Sequence, residues 1–213
     1  MAARVIAVLQ PKGGAGKTTL STNLAAAMHR RGLAVTLVDT DTQGTARDWA
    51  ASAADDAPLV LGVDRAPALR RTVATLAADA DCIIIDGSAR VDGMDAEALK
   101  VAHLVLIPIT PSNADIWGAQ PVVDLVSARQ SVTDGQPAAA YVVSRQVAGS
   151  NLAREVGDAL DGFPVLQART SQRVAYAEAL SSGGAVVLGP DKKAAAEIDA
   201  LTDEILTLLS PSS

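Results

Sequence analysis

The sequence is poor in cysteine, in aromatic residues and in long apolar runs, and each shortage excludes a class of protein. A single cysteine, Cys82, excludes a framework of internal disulfide bonds, and we expect a reducing compartment such as the cytoplasm. No apolar run approaches the roughly 18 residues of a membrane-spanning helix, and the first residues lack the pattern of a signal peptide. Aromatic residues make up only 2% of the 213 residues, so the core must be built from aliphatic side chains.

Positive charge is also in short supply. The chain has 24 acidic residues against 18 lysines and arginines, and its formal net charge is -6. This balance excludes a surface that is basic throughout and binds nucleic acid over its whole area. Any contact with DNA must therefore come from a local basic patch.

Apolar runs alternate with helical patterns along the chain, of which 49% is hydrophobic. The runs are continuous, which is typical of parallel strands buried on both faces. We predict strands at 5–9, 34–38, 59–63, 82–85, 104–107, 139–143 and 164–166. We predict helices at 17–32, around 49, and at 66–78, 116–130, 152–160, 172–180 and 194–209. This order predicts one α/β domain at 1–210, with a doubly wound, mostly parallel sheet between helices on both faces, and a frayed tail at 211–213.

A glycine-rich stretch joins the first predicted strand to the first helix, which is the context of a phosphate-binding loop. Glycines let backbone N–H groups approach phosphate oxygens, and the helix N-terminus adds its positive dipole end. We expect Lys17 to reach the β- and γ-phosphates of a nucleotide and Thr18 to ligate Mg²⁺. A glycine-rich turn without a ligand is the alternative. The predicted nucleotide-binding residues here are Gly13, Gly14, Ala15, Gly16, Lys17, Thr18 and Thr19.

This loop departs from the common phosphate-loop pattern, which requires glycine where the chain has Pro11. It also carries a second lysine, Lys12, five residues before Lys17. In both respects it resembles the deviant phosphate loop of the ParA/MinD family of ATPases, which have the fold of P-loop NTPases. The resemblance implies that Lys12 crosses a dimer interface to the nucleotide of a partner copy. The ATP-bound state is then a sandwich homodimer, in which Lys12 and Lys17 both take part in catalysis.

Three aspartates follow predicted strands, and the resemblance implies a role for each. Asp39 is expected near the Mg²⁺ shell, and Asp41 is expected to orient the water that attacks the γ-phosphate. These roles suit carboxylates, because phosphoryl hydrolysis depends mostly on positioning and charge neutralisation. Asp86 ends an apolar strand, as a Walker B aspartate beside Mg²⁺ does. Capping of the next helix is the alternative for Asp39 and Asp41, and Thr42 stands where the family usually has proline.

Two later loops carry further expectations from the resemblance. The loop after the strand at 104–107 corresponds to one beside the dimer interface, which assigns Pro108, Pro111 and Asn113 to that interface. Its two prolines make it stiff, and a plain strand-to-helix turn with Asn113 or Asp115 near a helix cap is the alternative. Arg145 follows the strand at 139–143, at the strand end that lies near the adenine in the family.

A group of basic residues near the C-terminus resembles a region that meets DNA phosphates in ParA-type dimers, without reading base sequence. The segment 165–193 holds four basic residues and two acidic ones, so an ordinary solvated face is the alternative. The predicted DNA-binding residues are Arg169, Arg173, Lys192 and Lys193.

The motifs together predict a ParA-type partition ATPase that uses ATP and Mg²⁺, dimerises with ATP, binds DNA non-specifically and associates with the nucleoid. Hydrolysis is expected to be slow, because Asp41 supplies no arginine finger, and to be stimulated by a ParB-like or centromere-binding partner. The cargo stays open between a plasmid, a chromosome and a protein assembly. The phosphate loop lies close to residue 1, so we expect a small plasmid-type ParA without an N-terminal helix-turn-helix extension.

Two alternative functions remain. A MinD-like ATPase that positions a site on a membrane needs a basic amphipathic helix at its end, whereas the predicted last helix is amphipathic but acidic, which argues against a membrane partner. The second alternative is a metabolic ligase that resembles dethiobiotin synthetase. Such ligases lack a lysine at the position of Lys12, and this difference separates them from the ParA/MinD type. A reductase like the nitrogenase iron protein needs at least two cluster cysteines per chain, and Cys82 is alone.

Overall fold

The computed structural model describes residues 3–89, 93–147 and 160–210, and its strands form one parallel sheet. The strand order is β3-β2-β4-β1-β5-β6, and every neighbouring pair is parallel. The strands are β1 (Arg4–Val8), β2 (Val35–Asp39), β3 (Leu59–Gly62), β4 (Cys82–Asp86), β5 (Leu104–Ile109) and β6 (Ala138–Val143). The predicted parallel sheet is confirmed.

Seven α-helices and one short 3₁₀ helix lie in the described part of the chain. They are α1 (Lys17–Arg30), α2 (Thr45–Ala51), α3 (Ala66–Leu76), α4 (Gly93–Val101), α5 (Asn113–Gln130), α6 (Val174–Ser181), the 3₁₀ helix Val186–Leu188 and α7 (Lys192–Leu209). None of these helices is both long and apolar enough to span a membrane. Helix α4 was not predicted. The predicted helix at 152–160, except for its last residue, and the tail at 211–213 lie outside the described residues.

The predicted strand at 164–166 is wrong, because this segment does not join the sheet as a strand. It runs beside β6, where Tyr141 forms an isolated parallel bridge with Val165. The Tyr141 N–H donates to the carbonyl of Pro164 at 2.8 Å, and the Leu166 N–H donates to Tyr141 at 2.9 Å. Pro164 has no N–H to extend the ladder, so the pairing stays short.

Helices cover both faces of the sheet, and alternate residues of β1 show how the two cores are built. Ala7 packs toward α3, α4 and α5, in a core with Leu69, Leu99 and Val122. Ile6 and Val8 pack toward α1, α2 and α7 on the other face. Because the strands are continuous apolar runs, each can bury side chains on both faces.

The parallel sheet brings the chemically important loops to one edge. Val8 and Asp39, the last residues of β1 and β2, are both register partners of Asp86, the last residue of β4. The loops that follow these three strands therefore leave the sheet side by side. Ligands of open α/β sheets bind outside the carboxyl ends of the strands, which is where these loops lie.

Candidate nucleotide site

The loop between β1 and α1 has the backbone shape of a phosphate cradle. Gly14 and Gly16 have φ values of +79° and +91°, in the left-handed region that side chains with a Cβ rarely adopt. A Cβ placed on Gly13 or Gly14 would meet no atom within 4 Å, so the space beside the loop is open. Gly16 is the N-cap of α1, so the first N–H groups of that helix border the same space.

Asp86 is fully buried below the loop and accepts two hydroxyl hydrogen bonds. Thr18 Oγ1 donates to Oδ2 at 2.7 Å, and Ser21 Oγ donates to Oδ1 at 3.0 Å. Burial raises the pKa of Asp86 to about 7, although the two hydroxyl bonds and Lys17 oppose the rise. The sequence analysis missed Ser21, which stands one helical turn after Thr18 and was detectable by that spacing.

Lys17 is the buried cation of the site, with only 7% of its surface exposed. Burial lowers the pKa of Lys17, while the negative charges of Asp86, Asp41 and Asp95 act to raise it. Its Nζ lies 3.5 Å from the carbonyl oxygen of Lys12, which accepts a hydrogen bond from it. A buried ammonium group among carboxylates is suited to bind the phosphate oxygens of a nucleotide.

The residues present fit Mg²⁺ bound together with a nucleotide. The parts of the chain that the structure describes hold no group of three or more histidine, cysteine or acidic side chains that could bind a metal without a ligand. Mg²⁺ is usually held by one or two carboxylates, with substrate phosphates and waters completing its shell. Thr18 and Asp86 supply a hydroxyl and a carboxylate that already touch each other.

Asp39 lies next to Asp86 in the register of the sheet, but its oxygens are engaged by protein groups. Oδ1 accepts from the Asp41 N–H at 2.9 Å, and Oδ2 accepts from the Arg47 N–H at 3.2 Å. Its bonds therefore resemble the capping role that the sequence left open. The role near the Mg²⁺ shell stays a prediction.

A cavity of about 540 Å³ joins the phosphate loop to the end of β6. Its lining includes Lys17, Thr18 and Asp41, and also Arg145 and Tyr176. Such a volume is typical of a small-molecule site. Asp41, Arg145 and the predicted phosphate loop therefore line one cavity.

The end of β6 holds the phosphate loop through two carbonyl groups. Ser144 Oγ donates to the carbonyl of Ala15 at 3.0 Å, and Arg145 Nη1 donates to the carbonyl of Gly14 at 2.8 Å. Arg145 Nε also donates to Gln172 Oε1 at 2.9 Å. The contacts of Ser144 and Gln172 were not predicted, because their partners lie far away along the chain.

Lys12 does not line the cavity that Lys17 lines. Its ammonium group pairs with Asp115 of α5, and it lines a second, open cleft of about 420 Å³ together with Pro111. The Lys12 side chain is 40% exposed, whereas that of Asp115 is 3% exposed. Burial of Asp115 opposes its ionisation, but hydrogen bonds from Lys12 and Thr110 outweigh burial and hold its pKa below the usual range.

The residues predicted for a dimer interface differ in their positions. Pro108 is buried within β5, which extends two residues beyond its predicted end, so its side chain is not on the surface of the chain. Its carbonyl oxygen accepts from Gln10 Nε2 at 3.2 Å. Pro111 is half-buried in the loop, and Asn113 is exposed as the first residue of α5.

The four predicted DNA-binding residues also differ in their surroundings. The Arg173 guanidinium donates to Glu197 Oε1 through Nε and Nη2, at 3.0 and 2.9 Å. Lys192 and Lys193 are exposed in the first turn of α7, and Arg169 is half-buried. The two lysines are therefore the predicted DNA contacts with the greatest access to solvent.

Comparisons with known proteins agree with this geometry. Residues 6–186 match the model of the CobQ/CobB/MinD/ParA nucleotide binding domain. The maintenance of carboxysome distribution protein A of Halothiobacillus neapolitanus is 29% identical over 209 residues, covering 94% of this chain and 95% of that protein. Protein ParA of Rhizobium radiobacter is 25% identical over 185 residues, with 84% and 83% of the two chains covered.

A solved structure shares the fold. The septum site-determining protein MinD of Pyrococcus horikoshii, complexed with Mg-ADP, superposes with a TM-score of 0.78 at 20% identity, over 98% of each chain. ATP and Mg²⁺ are the ligands that suit the present site, and members of the ParA/MinD group are ATPases. The phosphate loop, its aspartates and the matched domain lead to one conclusion: this chain is an ATPase of the CobQ/CobB/MinD/ParA nucleotide-binding family.

Proposed function

We propose that this ATPase forms a homodimer in its ATP-bound state, that the dimer binds DNA non-specifically, and that it positions or partitions a cargo. Two relatives support the role: one is named for maintaining carboxysome distribution, and another is a ParA protein. The observation that carries the proposal is that the two loop lysines line different, adjoining spaces. Lys17 lines the nucleotide cavity, whereas Lys12 lines the open cleft outside it.

The placement of Lys12 suits a residue that serves a second copy of the chain. The cavity already holds one buried lysine, so Lys12 is not needed there as a phosphate ligand. Its ammonium is held at the surface by Asp115 and is partly exposed to solvent. Release from Asp115 frees Lys12 to reach a nucleotide presented across the interface. Pro111 lines the same cleft as Lys12, and Asn113 is the exposed first residue of α5; both belong to the proposed interface.

Asp41 is the residue proposed to orient the water that attacks the γ-phosphate. Its carboxylate lines the cavity beside Lys17 and Thr18, where it can orient an attacking water. Bound Mg²⁺ supplies neutralisation of the charge on the phosphate oxygens. Lys17 holds the β- and γ-phosphates, and Lys12 of the second copy adds charge from outside. Turnover is slow until a ParB-like or centromere-binding partner stimulates it.

Lys192 and Lys193 are the residues best placed to contact DNA phosphates. Both are exposed, and they stand in the first turn of α7, where a positive charge opposes the helix dipole. The helix dipole therefore does not favour two lysines at this point, whereas a phosphate ligand would. Dimerisation doubles the patch, so DNA binding should require ATP. Arg169 and Arg173 are the other two members of the proposed DNA-binding patch. We further propose that the protein lies in the cytoplasm and associates with the nucleoid.

The structure offers little support for a membrane-bound function like that of MinD. The apolar face of α7 is buried in the core, where Ile198, Leu201 and Ile205 have no exposed surface. Its acidic side chains hold the helix in place, because Glu204 accepts from the N–H groups of Gln167 and Ala168, each at 2.9 Å. This face is not available to a lipid surface.

A DNA shift assay with ATP, with ADP and without nucleotide tests the proposal. We expect a shift with ATP alone, on DNA of any sequence, and a steep loss of binding as salt rises. Variant Lys12→Ala should bind ATP but give no shift, and Lys100→Ala, an exposed lysine on α4, is the control. Equal binding with ADP, or binding that does not respond to salt, would contradict the proposal.

A further inference from the structure

Arg47, in the first turn of α2, ties together the loop that carries Asp41. The Arg47 N–H and Nε both donate to Asp39 Oδ2, at 3.2 and 3.4 Å. Its Nη2 donates to the carbonyl oxygen of Asp41 at 3.1 Å. One guanidinium thus connects the last residue of β2 to the residue that lines the nucleotide cavity.

The loop from Asp39 to Gly44 depends on these bonds for its shape. The Asp41 N–H donates to Asp39 Oδ1 at 2.9 Å, so Asp39 binds both Asp41 and Arg47. Asp41 Oδ1 accepts from the Gln43 N–H at 2.9 Å, and the Asp41 carbonyl also accepts from Gly44 at 3.0 Å. Asp41 is therefore held through its backbone and through one carboxylate oxygen.

The Arg47 side chain occupies space that two glycines leave open. A Cβ on Gly44 would lie 2.8 Å from Arg47 Nη2, and a Cβ on Gly62 would lie 2.7 Å from Arg47 Cδ. Contacts below 3.0 Å force one of the groups to move, so any larger residue at either position displaces Arg47. Gly62 belongs to β3, so this edge strand lies against the Arg47 side chain.

The charges also explain why an arginine stands here. Asp39 has no exposed surface, and a buried carboxylate requires a cation or several hydrogen bonds. An arginine in the first turn of a helix is disfavoured by the helix dipole, so its position is explained by Asp39. The planar guanidinium can bind Asp39 and the Asp41 carbonyl together, which the single ammonium of lysine does less well.

We propose that Arg47 is a positioning residue for ATP hydrolysis, which fixes the Asp39–Gly44 loop and so holds the Asp41 carboxylate at the cavity beside Lys17. This inference rests on the proposed role of Asp41. Arg47 does not line the cavity, whereas Asp41 does, so Arg47 acts through Asp41 and not on the nucleotide. Displacement of a catalytic group by about 1 Å can slow a reaction roughly a hundredfold, so a loosened loop should slow hydrolysis.

The test measures ATP affinity and single-turnover phosphate release for Arg47→Ala, Arg47→Lys and Gly62→Ala. We expect Arg47→Ala to slow phosphate release at least about tenfold while the dissociation constant for ATP stays within about twofold. Arg47→Lys keeps a cation beside Asp39, so its thermal midpoint should stay near that of the wild type although release is slowed. Gly62→Ala keeps every charge and should slow phosphate release, because the added Cβ displaces the Arg47 side chain. Arg71→Ala, an exposed arginine on α3, is the matched control.

A double variant separates this inference from the proposed function. Arg47→Ala added to Asp41→Ala should cause no further loss of phosphate release, because the two residues act as one unit. A further loss in the double variant, or a normal rate in Arg47→Lys and Gly62→Ala, would overturn the inference. A normal rate in Asp41→Ala would instead overturn the proposed role of Asp41 itself.

Discussion

The rim of the sheet around β1, β2 and β4 and the C-terminal region at 165–193 both carry charged residues, but they use them differently. At the rim, Lys17 and Asp41 line a cavity of about 540 Å³. In the C-terminal region, the charge of Arg173 is met by Glu197 within the same chain. Sequence patterns alone do not separate a charge that faces a ligand from one that holds the fold together.

Replacement of Lys17 should have the largest effect on the rim. We expect Lys17→Ala to lose nucleotide binding, because charge-assisted hydrogen bonds to phosphates in a buried site are strong. Titration with a fluorescent ATP analogue measures this directly. Lys192→Ala changes a lysine of the other region and should bind the analogue as the wild type does. Wild-type affinity of Lys17→Ala for the ATP analogue would show that the charge of Lys17 does not face a nucleotide.

Replacement of Asp41 should separate binding from turnover at the same rim. Asp41→Ala should keep ATP affinity and slow phosphate release by about a hundredfold or more, since the water-orienting carboxylate is gone. Phosphate release in a single turnover is the readout. An unchanged rate would mean that Asp41 lines the cavity without a part in hydrolysis.

Replacement of Lys192 and Lys193 tests the C-terminal region. We expect the double variant Lys192→Ala/Lys193→Ala to weaken DNA binding for all sequences alike. The slope of log affinity against log salt should fall by about one for each DNA phosphate that the variant no longer neutralises. ATP affinity should not change. A salt slope equal to that of the wild type would show that these lysines belong to an ordinary solvated face.

Much of the rim could be predicted from the sequence because its signals are local. The phosphate loop joins a strand to a helix within a few residues, and Asp86 directly ends an apolar strand. The pairing of Lys12 with Asp115 spans 103 residues, and no local pattern indicates it. The Arg47 side chain likewise lies against Gly62 of β3, which meets it only in the folded chain.

The missed elements have similar physical reasons. Helix α4 has a short sequence in which Met94, Ala98 and Leu99 alone are buried apolar residues, so its helical period is weak. The ion pair of Arg173 with Glu197, 24 residues further along the chain, could not be assigned from the sequence. Tertiary contacts, and not local propensity, decide which of these charges is free.

Glu197→Gln should have the smallest effect of these substitutions, and it tests whether the ion pair between Glu197 and Arg173 stabilises the fold. Burial opposes the ionisation of Glu197, but bonds from Arg173, the Ser171 N–H and Tyr176 outweigh it and hold its pKa below the usual 4.5. Its stabilising contribution is thus present above pH 4.5 and is lost as pH falls through the lowered pKa.

Urea unfolding of wild type and Glu197→Gln at several pH values checks this contribution. We expect the variant to lose about 1 kcal/mol in the free energy of unfolding at pH 7, a modest value because the ion pair is partly exposed. The difference should shrink as pH falls below 4.5. A difference that stays constant with pH would mean that the carboxylate charge is not what stabilises this region.

Lys12 is proposed to join two ATP-bound copies of the chain, and molar mass by light scattering with Mg²⁺ and ATP measures this most directly. The Asp41→Ala background prevents hydrolysis during the measurement. We expect a dimer with ATP and a monomer with ADP, and a monomer under both conditions once Lys12→Ala is added, with ATP affinity unchanged. A dimer that persists without Lys12, or a monomer in ATP when Lys12 is present, would show that Lys12 does not join the two copies.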